Sequence, residues 1–425
     1  MVKLEEHKHT TENRKIEELP LPSKVYIPLS QHLGKISTPI AQIGDRVLAG
    51  QKIAVSSAGV SSNIHASISG KIVAIEDWPH QVLGKAQAIV IESDGLDEKL
   101  VTNNQKQEEI DKLTPEQIRN IVFEAGIVGL GGASFPTHIK LNPPKPVDTL
   151  IINGAECEPY LTCDHRLMVE KTNEILRGID LVARCLGVKK VYIAIEDNKP
   201  EAIEVFNHEI RDTRYEIRVL KSQYPQGGEK QLIKNIIGKE VPSGKLPFDV
   251  GVVAHNVGTI YAIYEAVYLN KPLYERVVTV TGSCVSNPKN LLVRIGTPIR
   301  ELINFCAPLK QEPAKIIIGG PMMGIAQYTD DVPVIKSTTG VILFNDKEAK
   351  SKREESCIRC AACVHGCPVG LMPCLINGLC EKEMWLEAKA YNILDCIECG
   401  LCNYVCPANR NLTQSIKRAK LEVVK

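Results

Sequence analysis

The chain has 425 residues, 44% of them hydrophobic, which is enough for two or three separately cored domains. Lys plus Arg number 51 against 50 Asp plus Glu, and aromatics are 5%. That balance excludes the basic face and the base-stacking platforms of a nucleic-acid binder.

The first residues, Met1-Val-Lys-Leu-Glu-Glu-His-Lys-His9, lack the apolar centre of a secretory signal. No run reaches the roughly eighteen apolar residues of a membrane helix. A cytoplasmic chain with no membrane span of its own is expected.

From Lys24 to Ser93 the residues favour strands, with turns at Gly34, Gly44-Asp45, Gly50, Gly70 and Asp94-Gly95. The runs Ile43-Gly-Asp-Arg-Val-Leu-Ala-Gly-Gln-Lys-Ile-Ala54 and Ile64-His-Ala-Ser-Ile-Ser-Gly-Lys-Ile72 resemble the barrel-sandwich hybrid of biotinyl and lipoyl carriers. Those carriers bear a lysine on the hairpin tip. Here no lysine stands between Lys52 and Lys71, and Val60 lies near the tip, so an unmodified scaffold is expected.

A polar linker, Glu98 to Asp111, precedes the capping box Thr114-Pro-Glu-Gln117, whose helix should end near Gly126. Next comes the glycine loop Gly126-Ile-Val-Gly129-Leu-Gly131-Gly132-Ala-Ser-Phe135-Pro-Thr-His-Ile-Lys140. Clustered glycines let backbone N–H groups approach a phosphate, and Lys140 could supply counter-charge; glycine-rich turns that bind nothing are as common.

Strand Val147–Asn153 leads into the acidic loop Gly154-Ala-Glu156-Cys-Glu158-Pro159, a helix from about Lys171 to Leu186, and strand Lys190–Ile195, a β-α-β arrangement. Gly227-Gly228-Glu229-Lys230 and Asn256-Val-Gly-Thr259 follow. Gly238 to Gly244-Lys245-Leu246 imitates a Walker A loop, but its spacing is one too long and no Ser or Thr follows the lysine. A β-rich run then starts at Arg276, with a helix around Ile299–Cys306 and a strand from Lys315 to Gly319.

The fifteen cysteines are unevenly spread, ten of them between Cys357 and Cys406. Two blocks, Cys357-x2-Cys360-x2-Cys363-x3-Cys367-Pro and Cys396-x2-Cys399-x2-Cys402-x3-Cys406-Pro, repeat the two-cluster bacterial ferredoxin spacing. Three thiolates converge on one cubane and the fourth, before proline, serves the other. Cys357, Cys360, Cys363 and Cys406 are thus assigned to one 4Fe–4S cluster, and Cys396, Cys399, Cys402 and Cys367 to the second. Zinc wants two cysteine pairs and leaves the third step of each block unexplained. Leu379 to Ile393 has no proline or glycine and is expected to be helical. Cys374 and Cys380 lie outside the pattern, either as metal ligands or as small buried residues.

Glycine loop, Asn-x-x-Glu-x-Glu-Pro, Gly-Glu and Asn-x-x-Thr, in this order, resemble the flavin-bearing NADH-oxidising subunit of respiratory complex I. The whole run from Lys24 to Leu412, with Gly319-Gly-Pro-Met-Met-Gly324 and both cysteine blocks, more closely resembles the RnfC family. Its members are components of the Rnf complex, a membrane-bound ferredoxin:NAD oxidoreductase. Where that family would show Gly-Gly before His-Pro, this chain has Glu5-Glu6-His7-Lys8.

The resemblance implies that Gly129, Gly131, Gly132, Lys140, Asn153, Asn256 and Thr259 hold FMN. It implies that Glu156, Glu158, Phe135 and Glu229 border the nicotinamide of NAD(H). Partners would be the other subunits of a membrane electron-transport complex, with ferredoxin reached indirectly, and the chain would sit peripherally on the inner face of a prokaryotic cell membrane. Na+ or H+ translocation would fall to those partners. Also open are a cobalamin-reducing flavoprotein and an electron wire with a vestigial flavin site.

The expected fold is multidomain α+β: an N-terminal extension (1–23), a barrel-sandwich hybrid (24–98), a Rossmann-like α/β flavin/NADH-binding domain (110–272), a β-grasp domain (273–335) and a helical two-cluster ferredoxin-like domain (345–425).

Overall fold

The computed structural model describes residues 2–56, 59–100, 105–210, 214–350 and 353–424. Residues 57–58 of the expected hairpin tip and 101–104 of the expected linker lie outside these. The architecture is multidomain α+β.

Strands Lys24–Pro28, Gly84–Ser93, Gly70–His80 and Arg46–Val47 form one sheet of the barrel sandwich, and Thr38–Pro39, Lys52–Val55 and Ile64–His65 the other. Alternating apolar residues, among them Val25, Ile27, Ile53, Ile72, Ile89 and Ile91, fill the space between the sheets. The Val60 carbonyl accepts the Lys35 amide at 2.8 Å, so the tip is packed onto the neighbouring turn.

The next domain is a four-stranded parallel sheet in the order Tyr215–Leu220, Lys190–Glu196, Thr149–Gly154, Val252–Asn256. The chain steps outward through three strands and returns on the other side for the fourth. The reversal falls between Thr149–Gly154 and Val252–Asn256, and open α/β sheets bind ligands outside the strand ends at such a point. Asn153 and Asn256 are direct neighbours there.

Helices Thr172–Leu186 and Val257–Leu269 cover one face, and Glu229–Ile237 packs on the other. The capping box forms as read, with Gln117 N–H bonded to Thr114 Oγ1, and the helix Pro115–Glu124 stops before Gly126 at φ 67°. The helix expected from Lys171 is preceded by a separate one, Cys163–Glu170, which places the end of the acidic loop.

The β-grasp region contains the expected helix, Ile299–Phe305, and strand, Lys315–Ile318. Its six-stranded sheet also draws in Gly340–Phe344 as a central strand and Ile16–Glu18 as an edge strand parallel to Lys289–Arg294. The N-terminal extension is therefore part of this sheet.

In the cysteine module the uninterrupted helix expected over Leu379–Ile393 is absent. Helix Pro373–Cys380 ends, Glu383 and Asn392 adopt left-handed conformations, and a separate helix, Trp385–Ala390, lies between them. The two breaks let Ile376, Ala388 and Ile393 all face Ile416 and Ala419 of the last helix, Leu412–Val424. Burial of that cluster outweighs the cost of the left-handed residues.

Candidate functional site: a flavin cradle joined to a cysteine cage

The glycine loop leaves the first helix of the α/β domain and closes on itself, with the Gly129 amide bonded to the Phe135 carbonyl at 2.9 Å. Gly131 and Gly132 are exposed at its crest. A Cβ at Gly131 would lie 2.7 Å from Asn256 Nδ2, whereas one at Gly132 would meet nothing within 4 Å. The first glycine permits close approach of loop to strand end, and the second leaves an open cradle. Asn256 caps the Val257–Leu269 helix through the Gly258 and Thr259 amides and donates to Asp164 at 2.6 Å. Thr259 Oγ1 accepts from the Leu130 amide at 2.9 Å, fixing the loop to that helix.

Among the described residues, the buried Ser134 Oγ, Thr137 Oγ1 and His255 Nε2 have no hydrogen-bond partner. Buried polar atoms are normally satisfied. A phosphate- and amide-bearing ligand at the strand ends suits this donor set, and FMN fits it. Lys140 pairs with Glu229 at 2.5 Å, closing one side of the cradle, and Asn153 donates to the Gly227 carbonyl at 2.9 Å. Phe135 is partly buried in the loop.

The acidic loop is held inward. The Glu156 carboxylate accepts from the Asp164 and His165 amides at 2.8 and 3.2 Å, at the start of the Cys163–Glu170 helix, where a negative charge is favoured. Burial, then the neighbouring Glu156, push the Asp164 carboxyl above the usual carboxylate range. The Glu158 carboxylate accepts from the Met322 and Met323 amides at 3.1 and 2.9 Å, inside the Gly319–Gly324 turn. Burial pushes it up to about 7 against the pull of those amides. Both carboxylates are thus bonded to backbone, and sequence reasoning offered no sign of these partners.

Cys367, Cys396, Cys399 and Cys402 line one cavity, closed by Leu371, Ile397 and Ile416. Four thiols converging in an apolar shell fit one cubane. Each block curls in the same way: the residues before and after the second cysteine, Arg359 and Ala361 in one and Glu398 and Gly400 in the other, are all left-handed, with φ of 56°, 59°, 57° and 77°. Of the other set, Cys357 and Cys360 are exposed, Cys363 is buried and Cys406 partly so. Cys374 packs beside Cys363 and Cys402, and Cys380 belongs to the apolar core of the module.

Sequence reasoning also missed the joint between cradle and cage. Tyr224 Oη donates to the Cys399 carbonyl at 2.8 Å and lies 3.4 Å from Glu158. A Cβ on Gly400 would meet the Met322 carbonyl at 2.6 Å. The false Walker loop contributes too: Ser243 and the Gly244 amide bond to Asp395, which also pairs with Lys230.

Comparison with known proteins finds four successive matches along the chain. Residues 2–96 match the RnfC barrel sandwich hybrid domain, 122–265 the Nuo51 FMN-binding domain, 277–326 the SLBB domain and 349–408 a 4Fe-4S dicluster domain. The C component of the proton-translocating ferredoxin:NAD(+) oxidoreductase complex of Clostridium ljungdahlii is 48% identical over 98% of this chain and 92% of its own length. The chain belongs to the RnfC family. Another RnfC protein, from the Na(+)-translocating ferredoxin:NAD(+) oxidoreductase complex of Acetobacterium woodii, is 45% identical over 96% of this chain and 94% of its own. The RnfC protein of the ion-translocating oxidoreductase complex of Rhodobacter capsulatus is 45% identical over 98% and 81%.

This RnfC chain also has some likeness to a crystal structure of an NAD+-reducing nickel–iron hydrogenase in the air-oxidized state. The TM-score is 0.49 and the identity 20%, covering 67% of this chain and 56% of that one. Among the described residues no helix is long and apolar enough to cross a membrane.

Proposed function

We propose that this chain is the electron-transfer subunit of a ferredoxin:NAD oxidoreductase complex, exchanging hydride with NAD(H) and single electrons with partner subunits that move Na+ or H+. Bound FMN supplies the exchange between two-electron and one-electron chemistry, and two 4Fe–4S clusters supply one-electron carriage. The observation that carries the reading is the direct junction of the two sites, Glu158 to Tyr224 to the Cys399 carbonyl.

Gly131 and Gly132 present backbone donors to the flavin, Gly129, Asn256 and Thr259 hold the loop and strand end in place beside it, and Lys140 and Asn153 bound its edge. Glu156, Glu158, Phe135 and Glu229 border the nicotinamide side, the two loop glutamates by fixing the backbone through their amide bonds. Cys367, Cys396, Cys399 and Cys402 form the cage next to the flavin. Cys357, Cys360, Cys363 and Cys406 form the outer one, whose exposed cysteines face the partner. The chain acts peripherally at the inner face of the cell membrane.

Anaerobic purification followed by iron, sulfide and flavin assay tests the proposal. Roughly eight iron and eight sulfide per chain are expected from two cubanes, with one FMN bleached by NADH. Zinc without sulfide overturns the cluster assignment. Clusters without flavin leave a non-catalytic wire.

A further inference from the structure

Residues 2–14 cross the carboxyl ends of the parallel strands as a strap. Val2 and Tyr224 exchange backbone bonds of 3.0 and 2.8 Å. Leu4 is buried against Tyr224, Cys399 and Leu401. The Glu6 carbonyl accepts from the Tyr160 amide at 2.8 Å, its carboxylate accepts from Asn198 at 2.8 Å, and His7 stacks on Tyr160 with ring centroids 4.6 Å apart. Thr162 donates to Thr11 at 2.8 Å.

Between these anchors Lys8 turns inward and is 5% exposed. Its Nζ donates to the carbonyls of Glu156 at 2.8 Å, Glu158 at 3.0 Å, and Leu161. An ammonium has three N–H donors, and all three go to one short loop. The Glu156 and Glu158 carboxylates are engaged elsewhere, by the amides of Asp164 and His165 and of Met322 and Met323. Three carbonyl dipoles therefore converge on a single cation. Without that cation they would face one another unsatisfied in a buried place, where the loop could not hold its shape.

We propose that Lys8 is a positioning residue for the nicotinamide side of the flavin site, fixing the 154–162 loop from which Glu156 and Glu158 project. The inference rests on the reading that this loop borders that site. The same strap reaches the cysteine cage through Leu4 and Tyr224, so one segment sets both loop and cage.

Lys8→Met in the full, cofactor-loaded chain keeps the length of the stem and removes the donors. The KM for NADH should rise at least roughly tenfold, the cost of one lost charged hydrogen bond, with flavin content and both cluster resonances unchanged. Amide hydrogen exchange across 154–162 should accelerate by a similar factor while the Glu275–Thr281 strand stays protected. Deleting residues 2–5 detaches the strap from Tyr224 but keeps Lys8, and should raise both readouts by a smaller factor. It carries the test if Lys8→Met does not fold. Parental KM and parental exchange in the folded variant overturn the proposal. A parent chain that NADH does not reduce overturns the functional reading instead, and the exchange measurement then still decides whether Lys8 holds the loop.

Discussion

Arg359, Ala361 and Glu398 hold a backbone conformation that costs a side-chain-bearing residue roughly 1–2 kcal/mol. Two cysteine blocks accept it at matching positions because it curls successive thiols toward one point; strain of this kind gathers at functional sites. Ala361→Gly should therefore stabilise the module by about 1 kcal/mol, read as a higher anaerobic melting temperature with unchanged cluster resonances. Gly131→Ala should act in the opposite sense on the flavin, since its Cβ would press on Asn256 Nδ2. We expect flavin affinity to fall by about tenfold or more, for a loss of about 1.4 kcal/mol, as measured by fluorescence titration. The thiol spacing was legible because ligand geometry constrains it directly. The left-handed positions were not, because Arg, Ala and Glu have no turn preference that distinguishes them from their neighbours.

At the scale of the element, the 154–162 loop is fixed on one side by Glu158 in the Gly319–Gly324 turn and on the other by Glu156 at a helix start. Folding raises the Glu158 pKa from 4.5 to about 7, so the folded state holds the proton more tightly than the unfolded chain. Its stabilising contribution is complete below about 4.5 and is lost as pH rises through about 7. Glu158→Gln should accordingly flatten the fall in stability between these limits by up to about 1.4 kcal/mol per pH unit, seen by comparing thermal midpoints of the two proteins from pH 5 to 8. An identical slope in both would place the titration elsewhere. Glycine loop, strands and capping helix could be read from sequence because each is coded locally. The partners of Glu156 and Glu158 could not, since Met322 lies 164 residues from Glu158. The break at Glu383 was hidden for another reason: it follows from packing against the final helix, and absence of proline and glycine says nothing about that.

Across the whole molecule, the modules meet on a few buried groups. Lys336, 1% exposed, donates to the carbonyls of Asn63 in the barrel sandwich and Gly126 at the root of the glycine loop, at 2.7 and 2.6 Å. Its backbone amide bonds Gln31 at 3.2 Å. Lys336→Met strands two buried carbonyls, each worth about 1–3 kcal/mol. It should lower both the melting temperature and flavin retention on gel filtration, whereas loss of neither would make the barrel sandwich a passive neighbour. Module types and order were legible throughout; the sharing of strands was not, since Ile16–Glu18 joins a sheet whose other members begin at Glu275.

That sharing sets a timetable for biosynthesis. Val2, Leu4 and Ile16–Glu18 leave the ribosome first, yet they dock on Tyr224, on Asn290–Leu292, and on Cys399 and Leu401, which are made progressively later. Domains generally fold in the order in which they emerge. Here the α/β domain can close with Lys8 already seated in its acidic loop, whereas the Ile16–Glu18 strand waits for Asn290–Leu292 and the Leu4 contact waits for Cys399 and Leu401. The last strap contact, Leu4 against Cys399 and Leu401, is thus completed only by a chain long enough to carry the second cysteine block.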